Sequence, residues 1–329
     1  MSPRWRQWLT GVPIALAGVL ALAYLIVVGE QAADRPAGRH DAMVEADEGQ
    51  PAMSPQRSAG SDRPLKIGWT AWADAEIVSH LAARVIQTYY DQPVELVMAD
   101  IGIQYQGVAS GDLDAMLMAW LPVTHRDYWA RFSRDVVDLG PIYTRARLGW
   151  AVPAYVPASD LGSIADLAKP QVRRRLHGRI HGIDPGSGLM QASERALRAY
   201  DLDGMELVSS SGAAMTAELA RAIRRREWIV VTAWNPHWMF ARWDLRYLTD
   251  PKGVFGARER VHAIVRRGLY QDYPPRITEF FTRLYIPMVE LEAALLEATR
   301  TSADEAVSDY IASHPERIRY WVDGELDTP

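Results

Sequence analysis

Short runs of large apolar residues, separated by segments of helical periodicity, limit what this chain can fold into more than any other feature. The runs have the length of β-strands and are LKIGW from Leu65, VELVMAD from Val94, AMLMAW from Ala115, LGWAVPAY from Leu148, RIHGID from Arg179, WIVVTAW from Trp228 and HAIVRR from His262. Between the first two, apolar residues recur at helical spacing, as at Ile77, Leu81 and Val85. Strands that alternate with helices predict an α/β fold with mostly parallel sheets.

Length, charge and cysteine content narrow the possible functions. The chain has 329 residues, enough for two ordinary domains. Its formal net charge is −5 at pH 7 and it has no long basic stripe, so we expect no nucleic-acid partner. The chain has no cysteine, which excludes disulfides, thiol catalysis, cysteine-ligated zinc and a lipid-modified cysteine anchor.

The N-terminal region has the pattern of a secretion signal. Arg4 and Arg6 precede an uncharged apolar run at residues 12–28. Residues 1–29 are therefore predicted to be a signal anchor or a signal peptide, and we favour the anchor because no A-x-A site directly follows the run. Residues 30–64 are rich in Ala, Gly, Pro, Asp and Glu, which predicts a disordered tether. We expect the folded part to be periplasmic or otherwise extracytoplasmic.

Functional residues of α/β sheets gather where strands end and loops face a crevice. Trp72, Trp120 and Trp234 each follow or end a predicted strand in this way. A fourth place is the glycine-rich turn GIDPGSGLM at residues 182–190, which leads into a predicted helix. A helix entered through glycines offers free backbone N–H groups and favours an anion.

Several indole faces around one point suit a cation that donates no hydrogen bonds, such as a quaternary ammonium. Each face contributes about 0.5–2 kcal/mol when desolvated, whereas micromolar affinity needs about −8 kcal/mol net. An anion subsite must therefore contribute, and the glycine turn with His125 can form it. A ligand with a quaternary ammonium at one end and a carboxylate at the other satisfies both halves.

Four motifs in this order resemble those of the OpuAC-type glycine betaine-binding proteins of ABC importers. They are TAWADAEI, MLMAWLPVTH, GIDPGSGLM with the following SSSGAAMTAEL, and VVTAWNPHWMF. The resemblance covers roughly residues 65–325. It implies a two-lobed periplasmic-binding-protein fold, type II-like, which closes over a ligand in the cleft. It also implies a monomeric substrate-binding subunit that works with an ABC permease and its ATPase.

The resemblance assigns roles position by position. It implies a tryptophan cage for the ammonium, and a histidine and two backbone N–H groups for the carboxylate. The matching residues are Trp72, Trp120 and Trp234 for the cage, and His125, Gly188 and Leu189 for the carboxylate. We place lobe 1 at residues 65–152 and 253–329, and lobe 2 at residues 153–252.

The identity of the ligand depends partly on Asp74, two residues after Trp72. Choline-binding relatives combine aromatic cages with an acidic residue, so choline, carnitine and proline betaine stay open beside glycine betaine. We interpret Asp74 as the N-cap of the following helix, facing away from the cleft.

Other classes of function fit the sequence less well. Ser187, His125 and Asp184 allow a hydrolase triad, but GSG is not the G-x-S-x-G elbow, so we expect no enzyme. His177 and His181 have the spacing of metal ligands, but Gly178 interrupts the helix which that spacing needs, so we expect neither metal nor cofactor. A membrane-tethered sensor of the same ligand remains an alternative to a transport subunit.

Overall fold

The structure is a computed structural model, and it describes residues 63–325. The predicted signal segment, and the predicted tether except for its last two residues, lie outside this range. Among the residues that are described, no helix is both long enough and apolar enough to cross a bilayer.

Within residues 63–325, nine strands form one mixed sheet. They are β1 (Leu65–Trp69), β2 (Val94–Met98), β3 (Ala115–Leu121), β4 (Val136–Pro153), β5 (Arg179–His181), β6 (Glu206–Val208), β7 (Val231–Asn235), β8 (Leu245–Tyr247) and β9 (Glu259–Arg266). Their order is β2-β1-β3-β9-β4-β7-β5-β6, and β8 pairs with β4. Each apolar run of the sequence contributes to a strand, so the prediction of these strands is confirmed.

Helices cover the sheet and connect its strands. In the described range they are α1 (Ala73–Tyr90), α2 (Ile101–Ser110), α3 (Arg126–Phe132), α4 (Pro170–Arg175), α5 (Gly188–Ala199), α6 (Gly212–Arg225), α7 (Met239–Arg242), α8 (Leu269–Asp272), α9 (Pro275–Arg283), α10 (Met288–Ala298), α11 (Ala303–Ser313) and α12 (Pro315–Asp323), with a 3₁₀ helix at Ile164–Ala168. The helical periodicity around Ile77, Leu81 and Val85 gives the buried face of α1, as predicted.

The long strand β4 divides the sheet into two halves. Its residues from Val136 to Ala146 pair with β9, whereas those from Arg147 to Ala151 pair with β7. We call β2, β1, β3 and β9 the first half of the sheet, and β7, β5, β6 and β8 the second half. The point where β4 changes partner is the connection between them.

The two halves are parallel at their flanks and antiparallel at the centre. β1 is parallel to β2 and β3, and β5 is parallel to β6 and β7. Both β4 and β9 pair antiparallel with their neighbours. The expectation of mostly parallel sheets is therefore confirmed at the flanks and wrong at the centre, because β9 runs opposite to β3 and β4 runs opposite to both β9 and β7.

The C-terminal helices return to the first half. The hydroxyl of Tyr90, at the end of α1, donates to the carbonyl of Val322 in α12 at 2.9 Å. Trp321 beside it is fully buried and stacks on Tyr310 of α11 with ring centroids 6.1 Å apart. Helices α8 to α12, which sequence periodicity did not delineate, therefore complete the core around α1.

Candidate functional site

A small cavity lies where the two halves of the sheet face each other, and it encloses about 280 Å³ of empty space when open solvent is included. All six residues that the sequence singled out line it together with five others. The lining residues are Trp72, Asp74, Trp120, Thr124, His125, Leu148, Ile183, Ser187, Gly188, Leu189 and Trp234.

The three tryptophans enter the cavity from both halves. Trp72 is the N-cap residue of α1, Trp120 lies near the end of β3, and Trp234 lies near the end of β7. Each is at most 6% exposed. Trp72 Nε1 donates to Asp184 Oδ1 at 2.8 Å, and the Trp234 indole N–H is also bonded to protein. What these two rings offer the cavity is therefore their π surface.

Asp74 is a member of this site, and its assignment as a helix cap facing away from the cleft is wrong. It lies inside the first turn of α1, whose N-cap is Trp72, and it is fully buried. Its carboxylate accepts from Trp234 Nε1 at 2.9 Å and from the Tyr143 hydroxyl at 2.6 Å. Asp74 therefore fixes the ring of Trp234 and places a carboxylate directly behind the cavity wall.

The environment of Asp74 opposes its ionisation in part. Burial raises the pKa of Asp74 above its usual value, while the hydrogen bonds from Tyr143 and Trp234 act in the opposite direction. Burial also raises the pKa of Tyr143 well above its usual value, so the hydroxyl stays protonated and donates. Nothing in the local sequence indicates Tyr143, because it lies 69 residues from Asp74 and reaches it only through β4.

His125 is buried as a neutral ring of defined tautomer. Burial lowers the pKa of His125 to about 3. The backbone N–H of Trp120 donates to His125 Nδ1 at 3.1 Å, so Nδ1 is an acceptor and the ring proton resides on Nε2. The ring can therefore donate one hydrogen bond through Nε2 without carrying a charge.

The glycine turn leads into α5 as predicted. Ser187 is the N-cap, and its hydroxyl accepts from the N–H of Met190 at 3.2 Å. Gly188 and Leu189 are the first helical residues and both are buried. Across residues 63–325, their N–H groups have no hydrogen-bond acceptor. Buried donors without acceptors are rare in proteins, so this helix end is suited to an anionic ligand.

The hydroxyl of Ser187 is used within this turn. It donates to the main-chain oxygen of Asp184 at 2.8 Å, so it serves the helix cap. Asp184 holds Trp72, a role that the sequence analysis missed, although the aspartate lies in the same motif as the glycines. The side chains of Ser187 and Asp184 are therefore bonded within the cavity wall, to the backbone of the turn and to Trp72 respectively.

The fold and this cleft between two sheet halves define a two-lobed periplasmic substrate-binding protein, as predicted. Residues 63–313 match the sequence model of a protein family. This family is described as the substrate binding domain of the ABC-type glycine betaine transport system. The chain belongs to this family, which confirms the resemblance drawn from the four motifs.

Relatives of known structure share both the fold and part of the sequence. Lactococcal OpuAC, in its closed-liganded conformation complexed with glycine betaine, is 34% identical, with a TM-score of 0.73 over 80% of this chain and 100% of that one. The glycine/betaine/L-proline-binding protein ProX from Borrelia burgdorferi is 30% identical, with a TM-score of 0.74 over 79% of this chain and 97% of that one.

A curated relative from Listeria monocytogenes serotype 1/2a (strain 10403S) is the glycine betaine/carnitine transport binding protein GbuC. It is 35% identical over 186 residues, which are 56% of this chain and 58% of that protein. The chain thus matches little more than half of the length of this relative.

Proposed function

We propose that this protein is the extracytoplasmic substrate-binding subunit of an ABC importer for glycine betaine or a similar quaternary-ammonium osmolyte. One observation carries the proposal: a single small cavity combines three indole rings with three hydrogen-bond donors that no protein group occupies within residues 63–325. The donors are the N–H groups of Gly188 and Leu189 and Nε2 of His125. The names of OpuAC, ProX and GbuC, which specify glycine betaine, support it.

In this proposal the ammonium lies among Trp72, Trp120 and Trp234. A quaternary ammonium donates no hydrogen bond, so a wall of π surface leaves no polar group of the ligand unpaired. The buried carboxylate of Asp74 lies behind Trp234 and strengthens the attraction for a positive charge, because Coulomb interactions are less screened inside the protein.

The carboxylate of the ligand occupies the other end of the cavity. Gly188 and Leu189 donate from the N-terminus of α5, where the helix dipole favours negative charge. His125 adds a neutral donor, because its pKa of about 3 keeps it uncharged at physiological pH. Glycine betaine has both groups in one small molecule, as a single small cavity with both kinds of lining requires.

Binding would couple the two lobes, which we place at residues 65–152 with 253–329 and at residues 153–252. Trp72 and His125 belong to the first lobe, and Gly188 and Trp234 to the second. The bond from Trp72 to Asp184, and that from the Tyr128 hydroxyl to the carbonyl of Gly186 at 2.8 Å, join the same two lobes. A ligand that bridges them favours the closed state by its difference in affinity between the states.

We also propose the partners of this protein and its location. The closed protein, a monomer, would deliver its ligand to a membrane permease driven by an ATPase. The apolar segment at residues 12–28 would hold it at the outer face of the inner membrane or direct its export.

Choline is the second candidate ligand, and the position of Asp74 is the observation that favours it. A buried carboxylate bonded to a cage tryptophan attracts the ammonium of either ligand, but it repels the carboxylate of glycine betaine, which choline lacks. Choline, however, offers a hydroxyl where glycine betaine offers a carboxylate. It would leave buried donors unpaired at about 1–3 kcal/mol each.

Calorimetric titration of the purified protein with glycine betaine, proline betaine, carnitine and choline tests the proposal. We expect one site per chain and at least about tenfold tighter binding of glycine betaine than of choline, since one unpaired donor accounts for that ratio. A preference for choline would replace the betaine assignment, and binding of none of the four would overturn the function itself.

A further inference from the structure

The turn at residues 122–125, between β3 and α3, carries His125 but belongs to neither element. A turn of this kind needs an external partner if it is to hold a side chain in one place. The ring of His125 is bonded to Trp120, and the N–H of His125 donates to the carbonyl of Trp120 at 3.0 Å. The preceding residues of the turn have no such link to β3.

Glu259, the first residue of β9, supplies that partner. It is 2% exposed. Its Oε2 accepts from the N–H of Val123 at 2.8 Å and from the N–H of Thr124 at 2.9 Å. Its Oε1 accepts from the Thr124 hydroxyl. One buried carboxyl group thus receives three donors from two consecutive residues of the turn.

The same turn touches the opposite lobe at the carboxylate-binding end of the cavity. A side chain at Gly188 would collide with the carbonyl oxygen and methyl group of Thr124 and with the ring of His125. Glu259 therefore fixes the surface against which the first turn of α5 packs. In the pairing of β9 with β4, Glu259 lies opposite Ala146. The next residue of β4, Arg147, is where β4 begins to pair with β7.

We propose that Glu259 is a positioning residue for the carboxylate subsite. It acts through Val123 and Thr124, and it sets the distance between His125 Nε2 and the N–H groups of Gly188 and Leu189. Glu259 is not among the residues that line the cavity. The inference rests on the proposed function, because it assumes that these donors bind the carboxylate of the ligand.

Two substitutions separate hydrogen bonding from charge. Glu259→Met has nearly the same length but accepts no hydrogen bond, so the turn is released. Glu259→Gln keeps one oxygen for both backbone N–H groups, and its amide can donate to the Thr124 hydroxyl. We expect Glu259→Met to weaken glycine betaine binding about tenfold, the effect of about one lost hydrogen bond, and choline binding less than about twofold. Glu259→Gln should remain close to the wild-type protein for both ligands.

Asp114→Leu is the matched control, because Asp114 is also a buried acid of the first half. Its carboxylate accepts from the N–H of Lys66 at 2.8 Å, Nε of Arg266 at 2.6 Å and the hydroxyl of Tyr273 at 2.9 Å. It does not line the cavity. Its loss should lower the melting temperature as Glu259→Met does, yet leave the ratio of the two affinities unchanged.

Titration calorimetry with glycine betaine and choline, alongside thermal melts of the same samples, measures these outcomes. If Glu259→Met weakened both ligands equally or neither, or if Glu259→Gln matched Glu259→Met, the positioning role would be overturned. If Glu259→Met does not fold, Thr124→Val provides a second test, because it removes one of the three donors to Glu259. This variant should reduce the preference for glycine betaine over choline about threefold. An unchanged preference would count against the proposal. The wild-type protein is measured first, because a protein that does not prefer glycine betaine to choline would replace the betaine assignment on which this inference rests.

Discussion

At the residue scale, the proposed site depends on three indole rings that the chain brings together from positions 72, 120 and 234. Trp72→Ala, Trp120→Ala and Trp234→Ala should each weaken glycine betaine binding by at least about 1–2 kcal/mol, because each removes one face of the cage. Trp228→Ala is the control, since this ring packs against Arg175 at 4.5 Å and does not line the cavity. If calorimetry gave all four variants the same affinity for glycine betaine, the three rings would not form a cage for the ammonium.

Asp74 permits a second test at this scale. Asp74→Asn keeps an oxygen for Trp234 and offers an amide to Tyr143, but it loses the negative charge behind the cage. We expect both glycine betaine and choline to bind about fivefold more weakly, since the charge acts on the ammonium that they share. Tyr143→Phe keeps the charge and should have the smaller effect. Loss of choline binding alone, with glycine betaine unaffected, would instead identify a choline-binding protein.

At the element scale, the first turn of α5 must approach the turn at residues 122–125 closely. Gly188→Ala should weaken glycine betaine binding by more than about tenfold, because its Cβ would meet the backbone of Thr124 when the lobes close. Gly186→Ala is the matched control, because its Cβ would meet only the Tyr128 hydroxyl at 4.0 Å. Scattering in saturating ligand should show a larger radius of gyration for Gly188→Ala than for Gly186→Ala. Equal affinities and radii would contradict a close approach at Gly188.

The sequence predicted these elements well where the signal is local. The strand-end tryptophans, the glycine turn and the helical face of α1 lie within continuous motifs, and the structure has each of them where the pattern placed it. Partners joined by long-range contacts were not predictable in this way. Tyr143, Asp184 and Glu259 reach the site from 69, 112 and 135 residues away in sequence from the groups that they bind. Asp74 was misassigned because a carboxylate in the first turn of a helix is usually exposed.

At the scale of the whole molecule, two buried histidines link stability to pH. Burial lowers the pKa of His125 and of His237 to about 3 in each case, and Nδ1 of each ring accepts a backbone N–H. In the unfolded chain a histidine has a pKa of about 6.5. Between these values the unfolded state binds protons that the folded state does not, so stability is complete above about pH 6.5 and falls as the pH decreases toward 3.

Chemical denaturation at pH 7 and pH 5 measures this dependence. Each histidine should lower the free energy of unfolding by about 2 kcal/mol between pH 7 and pH 5, almost all of it below about pH 6.5. The double variant His125→Asn with His237→Asn retains acceptors for the backbone and should lose most of the dependence between pH 7 and pH 5. An equally steep dependence between pH 7 and pH 5 in this variant would show that these two histidines do not cause it.

A crystal structure of the protein with glycine betaine tests the central claim most directly. We predict that the trimethylammonium group of the bound ligand lies among the rings of Trp72, Trp120 and Trp234. We also predict that the carboxylate lies within hydrogen-bond distance, about 2.7–3.2 Å, of the N–H groups of Gly188 and Leu189 and of His125 Nε2. A ligand in the reversed orientation, or one bound outside this cavity, would contradict the central claim.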